Sequence, residues 1–151
     1  MKIEFDSIGQ VSNTVEMQKD DSWGENISTI KLEAPYRDGL IGLSEFSHVL
    51  VIYYLDQAHF GVDTHLMRRP RNREDMPLVG IFAQRAKDRP NPIGVTAVEL
   101  ISAEHGELVV KGLDAIDGTP VLDIKPYFPQ YDVRENVITP EWVARLMEDY
   151  F

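Results

Sequence analysis

The stretch Ile93–Leu113, IGVTAVELISAEHGELVVKGL, decides the fold of this chain. Apolar and β-branched side chains fill Ile93–Ile101 and Glu107–Leu113, which is typical of two β-strands. A turn at His105-Gly106 separates them. Such a short connection joins antiparallel strands, because a parallel pair needs a crossover of a dozen or more residues. The stretch therefore predicts an antiparallel hairpin.

Three segments upstream have the same strand character. Ile27–Leu32 alternates in polarity, whereas Val49–Leu55 (VLVIYYL) is a continuous apolar run and Leu78–Phe82 is a shorter one. Continuous runs predict strands that are buried on both faces. Turn signals at Asp38-Gly39 and Asp117-Gly118 leave no room for crossover helices. The expected fold class is therefore mainly β, as a small antiparallel β-barrel or sandwich.

One helix is expected near the end of the sequence. Thr139 suits the N-cap position and Pro140 the first helical position. Apolar residues then recur at a spacing of three to four: Trp142, Val143, Leu146, Met147 and Tyr150. This stripe would cover one end of a barrel or pack against a second subunit.

Length and composition predict a single globular domain over residues 1–151, with 43% hydrophobic and 26% charged residues. The chain has no cysteine, which excludes disulfides, thiolate metal sites and a cysteine nucleophile. Glu4 and Asp6 stand where a secretory signal would need a basic patch and then an apolar one. No run is long enough to span a membrane, so we expect a cytoplasmic protein with no membrane partner.

Charge is unevenly distributed along the chain. The net charge is −10, yet His65–Asn91 holds seven basic and three acidic residues. This stretch is either a solvated loop that offsets the acidic body or a binding site for an anion.

Two histidines and two aspartates lie close together in the sequence, at Asp56, His59, Asp63 and His65. Their spacing matches no standard metal-ligand pattern, so no metal is expected.

The segment Phe82–Gly94, FAQRAKDRPNPIG, is a candidate binding turn. Two prolines fix the backbone between two strands. Arg85, Arg89 and Asn91 would therefore project from a stiff loop, which lowers the entropic cost of holding a ligand. The alternative is a rigid hairpin whose arginines pair with the chain's own carboxylates.

A second candidate is Gly112–Tyr127, GLDAIDGTPVLDIKPY. Aspartates in turns usually bond their own backbone, which is one interpretation of Asp114 and Asp117. Asp123 and Lys125 would share one face of a strand, because they are two residues apart. Aspartates suit ribose hydroxyls or amino groups, and tyrosine rings suit a cation or a stacked base.

These two segments carry a specific resemblance. RPNPIG, followed by DGTPVLDIKPY, is similar to the TsaA-like, TrmO family of tRNA methyltransferases. Weaker similarity extends from Ile8 to Asp132, which is most of the chain. Members of this family are small β-barrel proteins that use S-adenosylmethionine without a Rossmann fold.

The resemblance implies a homodimer that binds S-adenosylmethionine near the subunit interface. The methyl group of S-adenosylmethionine would go to N6 of a threonylcarbamoylated adenosine beside the tRNA anticodon. The cofactor residues implied by motif position are Gln57, Arg85, Val95, Asp114, Ala115, Ile116 and Asp117. Substrate or structural roles fall to Arg89, Asn91, Lys125 and Tyr127. Asp117 and Asp123 are the candidate proton acceptors.

The chain departs from the family pattern at three internal places, one of which is Asp20–Gly24, where members typically have a proline-containing segment that contacts the cofactor. Family members usually have Phe-Ala-Thr-Arg-Ser-Pro where this chain has Phe-Ala-Gln84-Arg85-Ala-Lys, and often a histidine where it has Asp56. Two alternatives therefore stay open. One is a module that binds adenosine or S-adenosylmethionine without catalysis, and the other is a methyltransferase for a small molecule.

Overall fold

A computed structural model describes all residues, Met1–Phe151, and contains eight β-strands. The strands are β1 (Gly9–Ser12), β2 (Ile27–Leu32), β3 (His48–Tyr54), β4 (Met67–Arg68), β5 (Val79–Gly80), β6 (Ile93–Glu104), β7 (Glu107–Lys111) and β8 (Pro120–Pro126). Six of them form a closed barrel in the order β1-β2-β7-β6-β3-β8, while β4 and β5 form a separate two-stranded sheet. All pairs are antiparallel, which confirms the expected fold class.

The helical segments are short. The α-helices are α1 (Val62–His65), α2 (Pro129–Asp132) and α3 (Glu141–Met147), and 3₁₀ helices cover Ala34–Leu40, Leu43–Glu45, Pro70–Asn72 and Ile81–Ala83. None of these helices combines the length and the apolar character that crossing a bilayer requires.

The β6–β7 hairpin forms as its sequence predicts. Glu104 pairs with Glu107 across the turn. His105 and Gly106 both have positive φ, at 53° and 78°, as the two central residues of a type I′ turn require. This turn matches the twist of the two strands that it joins.

The barrel buries one face of each strand. In β3, Val49, Val51 and Tyr53 point into the core, whereas Leu50 and Ile52 are only half-buried. The prediction that the VLVIYYL run is buried on both faces is therefore wrong. A closed barrel has a single interior, so the outer face of β3 remains partly exposed despite its apolar side chains.

Two further expectations need correction. Asp38-Gly39 is not a strand-to-strand turn but lies inside the 3₁₀ helix Ala34–Leu40. Only Val79–Gly80 of the predicted strand Leu78–Phe82 pairs with β4, and the chain then enters a 3₁₀ helix. Both segments lie outside the barrel, so no neighbouring strand extends them.

The predicted helix near the end of the chain is α3. It begins one residue later than expected, since Pro140 is the N-cap and Thr139 provides no side-chain cap. Trp142, Val143 and Leu146 are half-buried, as their spacing predicts, whereas Met147 is exposed and Tyr150 lies beyond the end of the helix. The helix lies beside the 69–77 loop of the same chain.

Candidate functional site

A cavity of about 1170 Å³ opens at the end of the barrel where β3 ends and β6 begins. Its wall combines residues from six parts of the chain: 18–23, 53–57, 68–72, 82–97, 114–119 and 146–151. Sites for small molecules usually measure roughly 300–1,000 Å³. The cavity is therefore large enough for a ligand of nucleotide size.

The carboxylate of Asp114 is the polar centre of this cavity. Its Oδ1 accepts hydrogen bonds from Tyr53 Oη at 2.9 Å and from Thr96 Oγ1 at 2.5 Å. Its Oδ2 accepts one from Tyr150 Oη at 2.6 Å. An ionised carboxylate has about four acceptor sites, so one remains for a ligand.

Both tyrosines stay protonated and act as donors. Burial raises the pKa of Tyr53 and of Tyr150, and the negative charge of Asp114 raises both further. Each hydroxyl therefore keeps its proton across the physiological range and fixes the carboxylate from one side.

A glycine allows Tyr53 to reach this position. Tyr53 and Gly94 lie opposite each other in the β3–β6 pair. A Cβ at Gly94 would stand 2.4 Å from Cε2 and Cζ of the Tyr53 ring. The glycine of the RPNPIG segment thus provides the space in which the ring lies.

The arginines of the 82–94 turn bond backbone carbonyls, not carboxylates. Arg85 Nη2 donates to the carbonyl of Val95 at 2.5 Å. Arg89 Nη1 donates to the carbonyls of Gln84 at 3.0 Å and Ala86 at 3.3 Å. Arg89 therefore braces the turn, and Arg85 stands at the cavity wall with other guanidinium donors free.

Two buried polar atoms in the wall have no hydrogen-bond partner. Gln84 is 6% exposed, and its Nε2 donates to the carbonyls of Arg68 and Val79 at 2.8 and 3.0 Å. These two bonds fix the amide, which leaves Gln84 Oε1 as an unpartnered acceptor and Arg68 Nε as an unpartnered donor. Such atoms are rare in folded proteins and mark this part of the wall as unusual.

Asp88 ties the turn to the loops around it. It accepts a hydrogen bond from the backbone N–H of His59 at 3.0 Å, and Lys87 Nζ and Arg68 Nη1 lie 3.2 and 3.6 Å from its oxygens. Burial raises the pKa of this carboxyl, but these three partners lower it by more, so its pKa lies below the usual 3.8. The ionised form is therefore favoured in the folded protein.

Asp88→Asn is expected to lower the free energy of unfolding at pH 7 by about 1–3 kcal/mol, because it leaves charged partners unpaired. A carboxyl whose pKa is lower in the folded than in the unfolded state stabilises the fold at pH values above the unfolded-state pKa. This stabilisation is lost as the pH falls through the folded-state pKa. The difference in the free energy of unfolding between Asp88→Asn and wild type should therefore shrink below pH ~4, as measured by urea unfolding. Asp63→Asn, in the exposed part of α1, is the matched control, and an equal loss in that variant would contradict the assignment.

The basic residues of the 68–73 loop are engaged within the chain. Arg68 faces Asp88, Arg69 donates to the carbonyl of Met76, and Arg73 pairs with Asp75 at 2.7 Å. Arg71 lies 3.7 Å from Asp20 and stacks over the ring of Tyr150, 5.3 Å from its centroid. The loop is thus neither a purely solvated run nor a free set of phosphate donors.

The cavity brings together eight of the residues that the resemblance implies. Six belong to the cofactor set and two to the substrate set: Gln57, Arg85, Val95, Asp114, Ala115 and Ile116, with Arg89 and Asn91. The four others lie outside its wall: Asp117, Asp123, Lys125 and Tyr127.

Those four residues have other surroundings. Asp117 is exposed, and its Oδ1 accepts a hydrogen bond from the backbone N–H of Asn13 at 3.0 Å. Asp123 and Lys125 form an ion pair at 2.7 Å, as their shared face predicts. Tyr127 bonds the backbone of His48 at the start of β3, which is the opposite end of the barrel from the cavity.

The sequence did not point to four residues of the site: Tyr53, Gln84, Thr96 and Tyr150. Tyr53 and Tyr150 sit in apolar patterns, which indicated core or stripe positions. Thr96 lies within a strand of apolar alternation, and Gln84 stood out only as a departure from the family pattern.

Residues 12–133 match the family model described as the tRNA-methyltransferase O N-terminal domain, TrmO_N. The chain belongs to the TrmO family. A relative from Pyrococcus abyssi, named "Probable S-adenosyl-L-methionine-binding protein", is 42% identical over 72% of this chain and 56% of its own length. Human tRNA (adenine(37)-N6)-methyltransferase is 39% identical over 67% of this chain and 22% of its own length.

Solved TrmO structures share the fold. A crystal structure of TrmO from P. aeruginosa superposes with a TM-score of 0.76 at 29% identity, over 94% of this chain and 62% of that one. The chain thus spans only part of the length of these relatives. The fold and the family follow from these matches.

Proposed function

We propose that the cavity binds S-adenosylmethionine and that the chain transfers its methyl group to N6 of an adenosine in tRNA. The observation that carries the proposal is the convergence of six residues, implied by motif position, on one cavity. The names of the archaeal and human relatives support the cofactor and the acceptor class. Calorimetric titration with S-adenosylmethionine tests the first step, and no binding at millimolar cofactor would overturn it.

The residues of the wall fit the chemistry of this cofactor, which carries cationic groups, a carboxylate and an adenine ring. Asp114 has an acceptor site left for a cationic group or hydroxyl, and Arg85 has donors left for a carboxylate.

Arg85→Ala is expected to weaken S-adenosylmethionine binding about tenfold, because a charge-assisted hydrogen bond is lost and the Val95 carbonyl loses its donor. Calorimetry gives the dissociation constant. Arg134→Ala is the control, since the Arg134 side chain bonds only the carbonyl of its neighbour Val133. Equal affinity in wild type and Arg85→Ala would remove Arg85 from the cofactor site.

When bound, the cofactor supplies a methyl group on a sulfonium sulfur. The protein must position the acceptor, exclude water and take the proton that N6 loses. Three cavity aspartates already have partners: Asp20 with Arg71, Asp88 with its cationic cluster, and Asp114 with three hydroxyls. Asp56 also lines the cavity, and its carboxylate makes no hydrogen bond or ion pair within the chain. We therefore assign proton acceptance to Asp56, in place of Asp117 and Asp123.

The finer acceptor that we propose is threonylcarbamoyladenosine beside the anticodon, as the resemblance implies. Its N6 carries one proton, which must leave when the N–C bond forms. Radiolabel from methyl-labelled cofactor should enter total tRNA that carries this modification and not tRNA from cells that lack it. Equal labelling of both pools would favour unmodified adenosine, and cofactor binding without labelling of either would favour a non-catalytic binding module.

We also propose that the protein acts as a homodimer. Large apolar side chains are exposed in or next to α1, the β4–β5 sheet and the 3₁₀ helix Ile81–Ala83: Val62, Leu66, Met67, Leu78 and Phe82. Phe82 lines the cavity and is 79% exposed, so a second copy packed there would bury apolar area at the rim. Light scattering should give a mass of about twice 17.2 kDa. A constant monomer mass at high concentration would exclude the dimer.

A further inference from the structure

Part of the cavity wall lies outside residues 12–133, the range that the family model matches. The match ends at residue 133, whereas Leu146, Met147, Tyr150 and Phe151 all line the cavity. We refer to residues 141–151 as the closing segment. Its helix α3 and the residues after it extend across the cavity from the side of the 68–73 loop.

Backbone contacts fix the closing segment to the connection between β1 and β2. The N–H of Ser22 donates to the carbonyl of Asp149 at 2.7 Å, and that of Trp23 donates to the carbonyl of Tyr150 at 2.8 Å. A Cβ at Gly24 would stand 2.5 Å from the carbonyl carbon of Phe151, so the two backbones approach closely there. These contacts place the Tyr150 side chain independently of its hydroxyl group.

We propose that Tyr150 is a cofactor-positioning residue, which acts by holding the carboxylate of Asp114 in the orientation that the ligand needs. Its hydroxyl donates to Oδ2, while Tyr53 and Thr96 donate to Oδ1. The donors on both oxygens prevent the carboxylate from rotating, and the guanidinium of Arg71 stacked on the ring keeps Tyr150 in place. The proposal rests on the assignment of this cavity to S-adenosylmethionine.

The physical reason is preorganisation. A carboxylate that is held before the ligand arrives loses no side-chain entropy on binding. Without the Tyr150 hydroxyl, Oδ2 of Asp114 would lack its donor in a partly buried wall, and the side chain would turn to find another. Tyr150 does not itself need to touch the ligand for this effect.

Tyr150→Phe removes only the hydroxyl and keeps the ring and the backbone contacts. We expect S-adenosylmethionine to bind about tenfold more weakly to this variant. Tyr131→Phe is the matched control, because Tyr131 is 74% exposed and its hydroxyl makes no hydrogen bond. Both tryptophans of the chain, Trp23 and Trp142, are at the closing segment, so unchanged fluorescence shows that it stays docked in Tyr150→Phe.

A double-mutant cycle separates positioning from a structural role. If Tyr150 acts through Asp114, the Tyr150→Phe change should weaken cofactor binding only slightly when Asp114 is already Asn. We therefore expect the double variant to bind the cofactor within about threefold of Asp114→Asn alone. If Tyr150 had only a structural role, Tyr150→Phe would weaken cofactor binding by the same factor in the Asp114→Asn variant as in the wild-type protein.

Each outcome decides the matter. Tenfold weaker binding in Tyr150→Phe, with strong coupling to Asp114→Asn and unchanged fluorescence, supports the positioning role. Wild-type affinity in Tyr150→Phe, or independent effects in the cycle, overturns it and leaves the cofactor assignment intact. No binding of S-adenosylmethionine to the wild-type protein would overturn both proposals together.

Discussion

Gly94→Ala should weaken S-adenosylmethionine binding about a hundredfold and lower the free energy of unfolding by about 1–3 kcal/mol. The added Cβ would lie 2.4 Å from the Tyr53 ring, which is far inside van der Waals contact. The ring of Tyr53 lies directly against this position, so it must move and carry its hydroxyl with it. Asp114 then loses the donor at 2.9 Å, and Thr96 is displaced with it.

Gly39→Ala is the matched control, because a Cβ at Gly39 meets nothing within 4 Å. It lies in the 3₁₀ helix Ala34–Leu40, away from the cavity. Calorimetry and urea unfolding on the two variants should separate them in both affinity and stability. If Gly94→Ala bound the cofactor as tightly as Gly39→Ala, the position of Tyr53 would not matter for the site.

The barrel was largely predictable because its signals are local. The two turn residues His105 and Gly106 and the strands beside them are enough to define a hairpin. Ile27–Leu32 forms the strand that its alternating polarity predicts. The four-residue strand β1, GQVS, was not predicted, because it is short and weakly apolar. Its pairing with β2 and β8 closes the barrel, and closure depends on contacts distant in sequence.

The site was predictable only through the family motifs. Arg85 and Asp114 were implied by motif position, and both line the cavity. Their partners could not be read from the sequence, since Tyr53 and Tyr150 reach Asp114 across 61 and 36 residues. A tyrosine in an apolar pattern looks the same whether its hydroxyl meets water or a buried carboxylate.

Charge patterning left two alternatives open for a related reason. The basic excess at His65–Asn91 fits either a solvated loop or an anion site, because a net charge does not show which groups are already paired. Asp88 and Asp75 neutralise arginines of the same stretch, and Asp20 reaches Arg71 from another part of the chain. Which of these groups pair depends on where the fold places the loops, and the net charge of a stretch does not show that.

Asp56→Asn is expected to lower the rate of methyl transfer about a hundredfold while the dissociation constant of the cofactor changes little. Asparagine has nearly the same shape as aspartate but cannot accept a proton as a base. Because the Asp56 carboxylate has no partner within the chain, its replacement leaves no donor unsatisfied, and stability should hold. Single-turnover transfer of label to tRNA measures the chemical step, and calorimetry measures cofactor binding.

Two other aspartate variants make the Asp56 assignment specific. Asp63→Asn, in the exposed helix α1, should transfer methyl groups at the wild-type rate. Asp117 and Asp123 are held by Asn13 and Lys125 outside the cavity wall, so neither is placed to take a proton from a ligand bound there. A hundredfold loss in Asp123→Asn with an unchanged rate in Asp56→Asn would move the chemistry to the outer face of β8.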